Sequence, residues 1–156
     1  MSIRIALKKD AEFIIKMIRE LAEYEKALDQ MHVTSSELVR DGFGDKPLFE
    51  CLILEHENES VGIAIFFYKY STWKGKTLYL EDLYVMPRAR KNGLGMKAMK
   101  FLANYAIEQK CRRFEWQVLD WNQPSIDFYK SFNTDLDNGW INCRLENERI
   151  SYLASL

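Results

Sequence analysis

The sequence predicts a mixed α/β sheet covered by helices, folded as one domain over residues 1–156. Three observations lead there. Apolar, β-prone runs at 49–55, 61–70 and 77–85 follow one another with short polar links around 57–60 and 71–76, a layout that suits antiparallel hairpins. Beyond residue 86, strand-spaced and helix-spaced segments alternate. The composition, 47% hydrophobic and 29% charged, is that of a globular chain, and a chain of this length buries about 70% of its unfolded surface without disulfides or metals as staples.

The elements follow in order. Ser2 to Leu7 alternates as a short strand, and Asp10 is placed to cap a helix whose apolar positions Phe13, Ile14, Met17, Ile18, Leu21 and Ala22 keep helical spacing. A polar stretch with a short helix near Ser35–Arg40 leads to a turn at Asp41-Gly-Phe-Gly44, and the three strands come next. After Met86-Pro87 stand a basic loop, two glycines and a long helix with Met99, Leu102, Ala103, Ala106 and Ile107 on one face. Arg113–Trp121 reads as a strand. Asn122 and Pro124 open a second helix carrying Ile126, Phe128, Tyr129 and Phe132, and a last strand is expected near Trp140–Leu145.

Composition also excludes several classes. Twenty-two basic and 23 acidic residues leave a net charge of −1, which argues against a nucleic-acid binder. That balance conceals two opposed parts: residues 86–113 hold eight basic residues and one acidic, a charge of +7, and the remainder carries −8. A basic segment suits an anionic ligand and an acidic remainder a cationic one. Cys51, Cys111 and Cys143 are odd in number, far apart, and in or beside apolar runs, so buried thiols in a reducing compartment are expected rather than a disulfide. No Cys-x-x-Cys exists and His32 and His56 stand alone, so no metal is expected. The N-terminus lacks the layout of a secretory signal and the longest apolar run, 61–68, is too short to span a bilayer, so a cytoplasmic protein with no membrane partner is expected.

Three constellations carry chemistry. Arg90-Lys-Asn-Gly93-Leu-Gly95 lies between a strand and the long helix, where two glycines permit close backbone approach and first-turn N–H groups favour an anion such as phosphate. A simple tight turn is the alternative. Met96-Lys97-Ala98 after Gly95 rules out a Walker A loop, and the three preceding strands set the run apart from a dinucleotide fingerprint. Glu81 and Asp82 interrupt an apolar strand, where ionised carboxylates are costly. Alternation sends the two to opposite faces, so at least one is expected to face a solvated cleft; a satisfied polar pair at a sheet edge is the other reading. Finally, Asn122, Ser125 and Tyr129 are spaced to share a helix face, with Phe128 and Phe132 packing on another. A phenol there is able to donate a proton into a cleft, although by itself Tyr129 reads as a packing aromatic.

Together, Glu-Asp on an apolar strand, Val-x-Pro at 85–87, Arg-x-x-Gly-x-Gly at 90–95 and Trp-Asn-x-Pro-Ser at 121–125 with a helical Tyr129 resemble the GNAT superfamily of acetyl-CoA-dependent N-acetyltransferases. More narrowly, the chain resembles the spermidine/spermine (diamine) acetyltransferase branch and its thialysine-acetylating members. The likeness runs over nearly the whole chain, through Glu20-Leu-Ala-Glu-Tyr-Glu25, Asp41-Gly-Phe-Gly44, Tyr70-Ser-Thr-Trp-Lys-Gly75, Leu80-Glu-Asp82 and Leu119-Asp-Trp-Asn-Gln123, the last three being most like the thialysine type.

That resemblance implies a mostly antiparallel central sheet with a splayed strand pair, flanked by helices. It implies acetyl-CoA as the acetyl-donating co-substrate. Leu83, Tyr84 and Val85 would pair their backbone with its pantetheine arm, Arg90, Lys91, Asn92, Gly93, Leu94, Gly95 and Met96 would surround its pyrophosphate, and Asn122, Gln123, Pro124 and Ser125 would line its other side. Tyr129 would be the acid that protonates the departing thiolate and Glu81 the base, directly or through water. Tyr24, Glu25, Glu81 and Asp82 would contact a cationic acceptor, and Asp137 stands where the branch has a further acidic contact. A homodimer is implied as well. Two tracts depart from the pattern: Lys130-Ser-Phe-Asn133 replaces an Arg- and Gly-containing turn, and Asp135-Leu-Asp-Asn-Gly139 is shorter than usual.

The residue chemistry agrees. A primary amine with a pKa of about 10.4 is neutral at pH 7 in about one part in a thousand or less, so an acceptor must lose a proton before it attacks. A carboxylate beside the cleft attracts the ammonium and accepts that proton, and a backbone N–H near Leu83 or Tyr84 suits the developing oxyanion. No nucleophilic side chain is needed, because the amine attacks the thioester itself. The expected activity is acetyl transfer to a polyamine, a diamine or a thialysine-like amino acid. A protein lysine or N-terminal acetyltransferase is the alternative acceptor class, and a non-catalytic CoA-binding module the alternative outside enzymes.

Overall fold

The computed structural model describes all 156 residues. Backbone contacts gather them into two compact units, Met1–Gln117 and Val118–Leu156, each described by itself.

The first unit is built on a five-stranded sheet in the spatial order β1 (Ser2–Ile5), β2 (Glu50–His56), β3 (Glu59–Ser71), β4 (Gly75–Val85) and β5 (Arg113–Trp116). The first four strands are antiparallel and β5 runs parallel to β4, giving the mixed, mostly antiparallel sheet that was expected. Glu57 and Asn58 both take positive φ, 51° and 65°, the backbone a two-residue hairpin turn requires. Helix α1 (Ala11–Tyr24) and helix α2 (Ser35–Phe43) cover one face, where Ile14, Met17 and Leu38 pack with Cys51, Ile53, Ile63, Ile65 and Tyr84. Helix α3 (Leu94–Glu108) meets the opposite face, with the Tyr105 ring edge-on to Phe66 at 5.4 Å. Adjacent strand residues such as Ile65 and Phe66 point to opposite sides, which fixes the two layers.

Local details differ from the sequence expectations for physical reasons. Asp10 precedes α1 but its carboxylate turns back, accepting from the Leu7 N–H at 2.7 Å and from the Arg4 guanidinium at 2.7 and 2.9 Å, so it does not cap that helix. Helix α2 continues through Phe43, so the expected turn at 41–44 is its last helical turn, and the Phe49 ring fills the place where a Cβ on Gly42 would stand, 2.3 Å away. The buried stripe of α3 is Leu94, Ala98, Met99, Leu102 and Ala106, a row of near i+4 steps that leaves Ala103 and Ile107 facing water. Strand β5 stops at Trp116 rather than Trp121. No helix is long and apolar enough to cross a membrane.

The second unit contains helix α4 (Gln123–Lys130) and helix α5 (Glu148–Ala154). The strand expected near Trp140–Leu145 does not form: Trp140 is 74% and Ile141 90% exposed. A strand persists when its N–H and C=O groups find a ladder partner, and Val118–Leu156 holds no other strand. Cys143 lies exposed on this stretch and Cys111 is half-buried, so of the three free thiols only Cys51 is buried as expected, and burial pushes it up to about 12.

Candidate active site

The site is organised by an irregularity in β4. Asp82 stands opposite Ile65 and Leu80 opposite Phe66, leaving Glu81 as the extra residue of a β-bulge. Because Ile65 and Phe66 face opposite sides, Leu80 and Asp82 do too, although two residues separate them. Tyr79, opposite Phe67, shares the Asp82 face. Burial, then the charge of Glu81, raises both the Tyr79 phenol and the Asp82 carboxyl. The bulge therefore interrupts the simple alternation on which the expectation of opposite faces for Glu81 and Asp82 rests.

The same face collects further acid from α1. Burial, then the charges of Glu81 and Glu25, push Asp82 up to about 7, while Glu81 itself is exposed. Burial also raises Glu25, just past the end of α1. The Tyr84 hydroxyl donates to Glu20 at 3.1 Å, and burial, then that carboxylate, hold the phenol above its ordinary value. Tyr24 belongs to this group through Arg90, whose guanidinium lies 5.2 Å from the Tyr24 ring and 5.4 Å from that of Tyr84. Glu81 and Glu25 thus both act on the Asp82 carboxyl, and Tyr24 is tied to Tyr84 through Arg90. Glu20 was not singled out from the sequence, although it lies in the acidic tract that ends at Glu25.

Beside that face β4 has an open edge. Strand β5 pairs with Thr77 to Leu80 and ends at Trp116, so Glu81–Val85 have no β5 partner. The Met86 N–H donates to the Val61 carbonyl at 2.8 Å. Alternation of the antiparallel ladder then directs the backbone of Tyr84 and Asp82 toward β3, and that of Leu83 and Val85 toward the open edge. Arg90 Nε takes the Val85 carbonyl at 2.8 Å. Of the three residues expected to pair with an extended arm, Tyr84 is therefore committed to β3 through its backbone, and Leu83 presents both groups outward.

The loop after β4 leads into α3 through Gly93 at φ 79°, a left-handed position that favours glycine. Lys91, Asn92 and Gly93 are exposed, Gly95 and Met96 half-buried, and Leu94 anchors the first turn in the core. The arrangement aims first-turn N–H groups of a long helix outward next to Lys91, a setting that holds anions.

In the second unit, Asn122 is buried and caps α4, its Oδ1 accepting from the Ser125 N–H, and Pro124 occupies the first turn. The Gln123 side chain donates to Asp127 at 2.6 Å. Tyr129 is buried against Phe128 and Phe132, ring centroids 5.2 and 6.0 Å away, so the phenol and the phenylalanines form one cluster rather than separate faces. Asp137 is exposed and accepts from the Gly139 N–H at 2.8 Å.

Known proteins resemble the chain over most of its length. The chain is 41% identical to the thialysine N-epsilon-acetyltransferase of Sus scrofa over 97% of its own length and 96% of that protein. It is 38% identical to spermidine/spermine N(1)-acetyltransferase-like protein 1 of Homo sapiens over 97% of this chain and 23% of that one. An integron cassette protein from the mobile metagenome of V. cholerae shares the fold with a TM-score of 0.81 at 23% identity, covering 99% of this chain and 98% of that one. Residues 14–133 match the model of the acetyltransferase (GNAT) family. With a family match over residues 14–133 and relatives at this identity over nearly its full length, the chain belongs to the GNAT family of acetyltransferases and is an N-acetyltransferase.

Proposed function

We propose that the chain transfers acetyl from acetyl-CoA to a primary amine of a small cationic acceptor: a thialysine-like amino acid, a diamine or a polyamine. The observation that carries this is the acidic face of β4, where Glu81, Asp82 and Glu25 converge and two of the three carboxyls are desolvated. Desolvated carboxylates gathered beside an open strand edge attract an ammonium and offer it a place to leave its proton. The likeness to a thialysine N-epsilon-acetyltransferase supports a cationic amino acid as the first acceptor to try.

The residues present fit acetyl-CoA, which supplies the acetyl group as a thioester. Leu83, with its outward N–H and C=O, would hold the extended arm as an added strand, and Lys91 to Met96 would take the phosphates with the α3 N-terminus. Arg90, also assigned to the phosphates, has its Nε on the Val85 carbonyl. Asn122 to Ser125 would line the other side. Glu81 acts as general base, directly or through water, and Tyr129 as the acid for the leaving sulfur; Tyr24, Glu25 and Asp82 hold the acceptor, with Asp137 as a further acidic contact. The enzyme is expected to be a cytoplasmic homodimer.

The test is thiol release from acetyl-CoA by purified protein given thialysine, lysine, diamines, spermidine or lysine-containing peptides. Small cationic amines are expected to exceed peptides in kcat/KM. Tyr129→Phe is expected to lower kcat about a hundredfold or more with acetyl-CoA affinity little changed; full activity of that variant across pH would remove Tyr129 from the mechanism.

A further inference from the structure

The side of the sheet that α1 and α2 cover continues past them. Ile65 packs in the core under these helices, whereas Phe67 and Tyr79 are half-buried and Lys69 is exposed, so this face opens to water toward the hairpin between β3 and β4. Register places the residues on it. Ile65 stands opposite Asp82, Phe67 opposite Tyr79 and Lys69 opposite Thr77, while β5 sets Arg113 beside Thr77 and Glu115 beside Tyr79. The contacts agree with that placement. The Phe67 and Tyr79 ring centroids are 5.2 Å apart, and Lys69 Nζ lies 4.7 Å from the Tyr79 centroid. Lys69 donates to Glu115 Oε1, and Arg113 Nη1 donates to its Oε2 at 3.0 Å.

One carboxylate here serves two cations. Although burial opposes it, the hydrogen bonds from Lys69 and Arg113 hold the Glu115 carboxyl below its ordinary value, so the trio keeps a net positive charge. Both cations stay open to water, with side chains 42% and 36% exposed. Arg113 gives Glu115 one nitrogen, and the rest of its planar fork is suited to a second carboxylate.

We infer that Lys69 and Arg113 form a binding site for the carboxylate of an amino-acid acceptor whose side-chain amine lies at Asp82, with the Tyr79 ring beneath the methylenes between. This rests on the acetyl-transfer reading above and names the acceptor class within it. The spacing fits. Asp82 and Tyr79 are two residues apart along β3, about 7 Å, and Glu115 is one strand over, about 5 Å, which makes a diagonal of about 8 Å. Lysine or thialysine spans about 7–8 Å from its ω-nitrogen to its carboxylate carbon when extended. A diamine of the same reach brings no carboxylate to the cationic end.

The experiment measures kcat/KM with lysine, lysine amide and 1,5-diaminopentane at saturating acetyl-CoA for the wild type, Lys69→Gln, Arg113→Gln and Glu115→Gln. The wild type is expected to favour lysine over the two amines that lack its carboxylate. Lys69→Gln and Arg113→Gln each lower the ratio of lysine to diamine about fivefold, through KM. Glu115→Gln raises that ratio, because the competing carboxylate is gone and both cations turn to the ligand. The opposite sign separates a ligand site from ion pairs that only steady β5, whose loss moves all three substrates alike. A wild type that does not distinguish lysine from its amide overturns the site, as do unchanged ratios in both cation variants or a fall in the ratio for Glu115→Gln.

Calorimetric titration of lysine onto the wild type and Lys69→Gln keeps the two readings apart. If the wild type acetylates no amine yet binds lysine more tightly than Lys69→Gln does, the acetyl-transfer reading falls and the carboxylate site stands. Equal binding by the two proteins, or none by either, removes the site.

Discussion

Arg90 shows how a single side chain departs from the role its motif suggests. Its position in Arg-x-x-Gly-x-Gly assigns it to phosphate, yet its Nε holds the Val85 carbonyl and its guanidinium lies over Tyr24 and Tyr84. It therefore braces the acidic face as much as the loop. A guanidinium over an aromatic ring contributes about 0.5–2 kcal/mol. Arg90→Ala is accordingly expected to raise KM for the amine about fivefold, with a smaller rise for acetyl-CoA; the reverse ranking in steady-state kinetics would return Arg90 to the phosphates. At this scale the sequence pointed to most of the candidate residues, because carboxylates in an apolar strand and glycines before a helix are visible as letters. It left out Glu20, whose contact with Tyr84 spans 64 positions and has no local signature.

Strand β4 does most of the positioning. Its first part is held on both sides by β3 and β5, its last part by β3 alone, and the bulge at Glu81 falls where the pairing changes. Gly62 on β3 keeps that last part in place: a Cβ there would stand 2.4 Å from the Tyr84 carbonyl oxygen and 3.2 Å from the Val85 Cα. Gly62→Ala is expected to push β4 outward at Tyr84–Val85, lowering stability by about 1–3 kcal/mol and raising KM for acetyl-CoA. Thermal unfolding together with KM measures both, and an unchanged Tm would show that the strands have room to spare. The hairpins, a strand beginning at Arg113 and α3 were legible because each carries its own periodicity or turn residues. The bulge was not, since alternation is a local rule and a bulge is defined by two residues facing one on another strand. Trp140–Leu145 failed for a related reason: its apolar letters suit a strand, but its own unit offers nothing for it to pair with.

For the whole molecule, the near-zero net charge resolves into a basic run at 86–113 that feeds α3 and an acidic face made by α1 and β4. The homodimer that the family resemblance implies is expected to cover apolar side chains that the second unit leaves in water, among them Trp140, Ile141, Ile150, Tyr152 and Leu153. Sedimentation equilibrium is expected to give twice the chain mass at micromolar concentration, and a monomer there would refute it. By itself the sequence determined the fold class and the positions of the acidic and phenolic candidates, because composition and periodicity are properties of neighbouring residues, while the acetyltransferase family entered as a resemblance that the comparisons bear out. Only the tertiary structure decided that a bulge at Glu81 interrupts the alternation of β4, that Leu83 rather than Tyr84 offers its backbone to the open edge, and that Arg90 turns toward Tyr24. Those outcomes depend on strand register and on burial by distant helices, which set where a side chain points and how strongly it holds its proton.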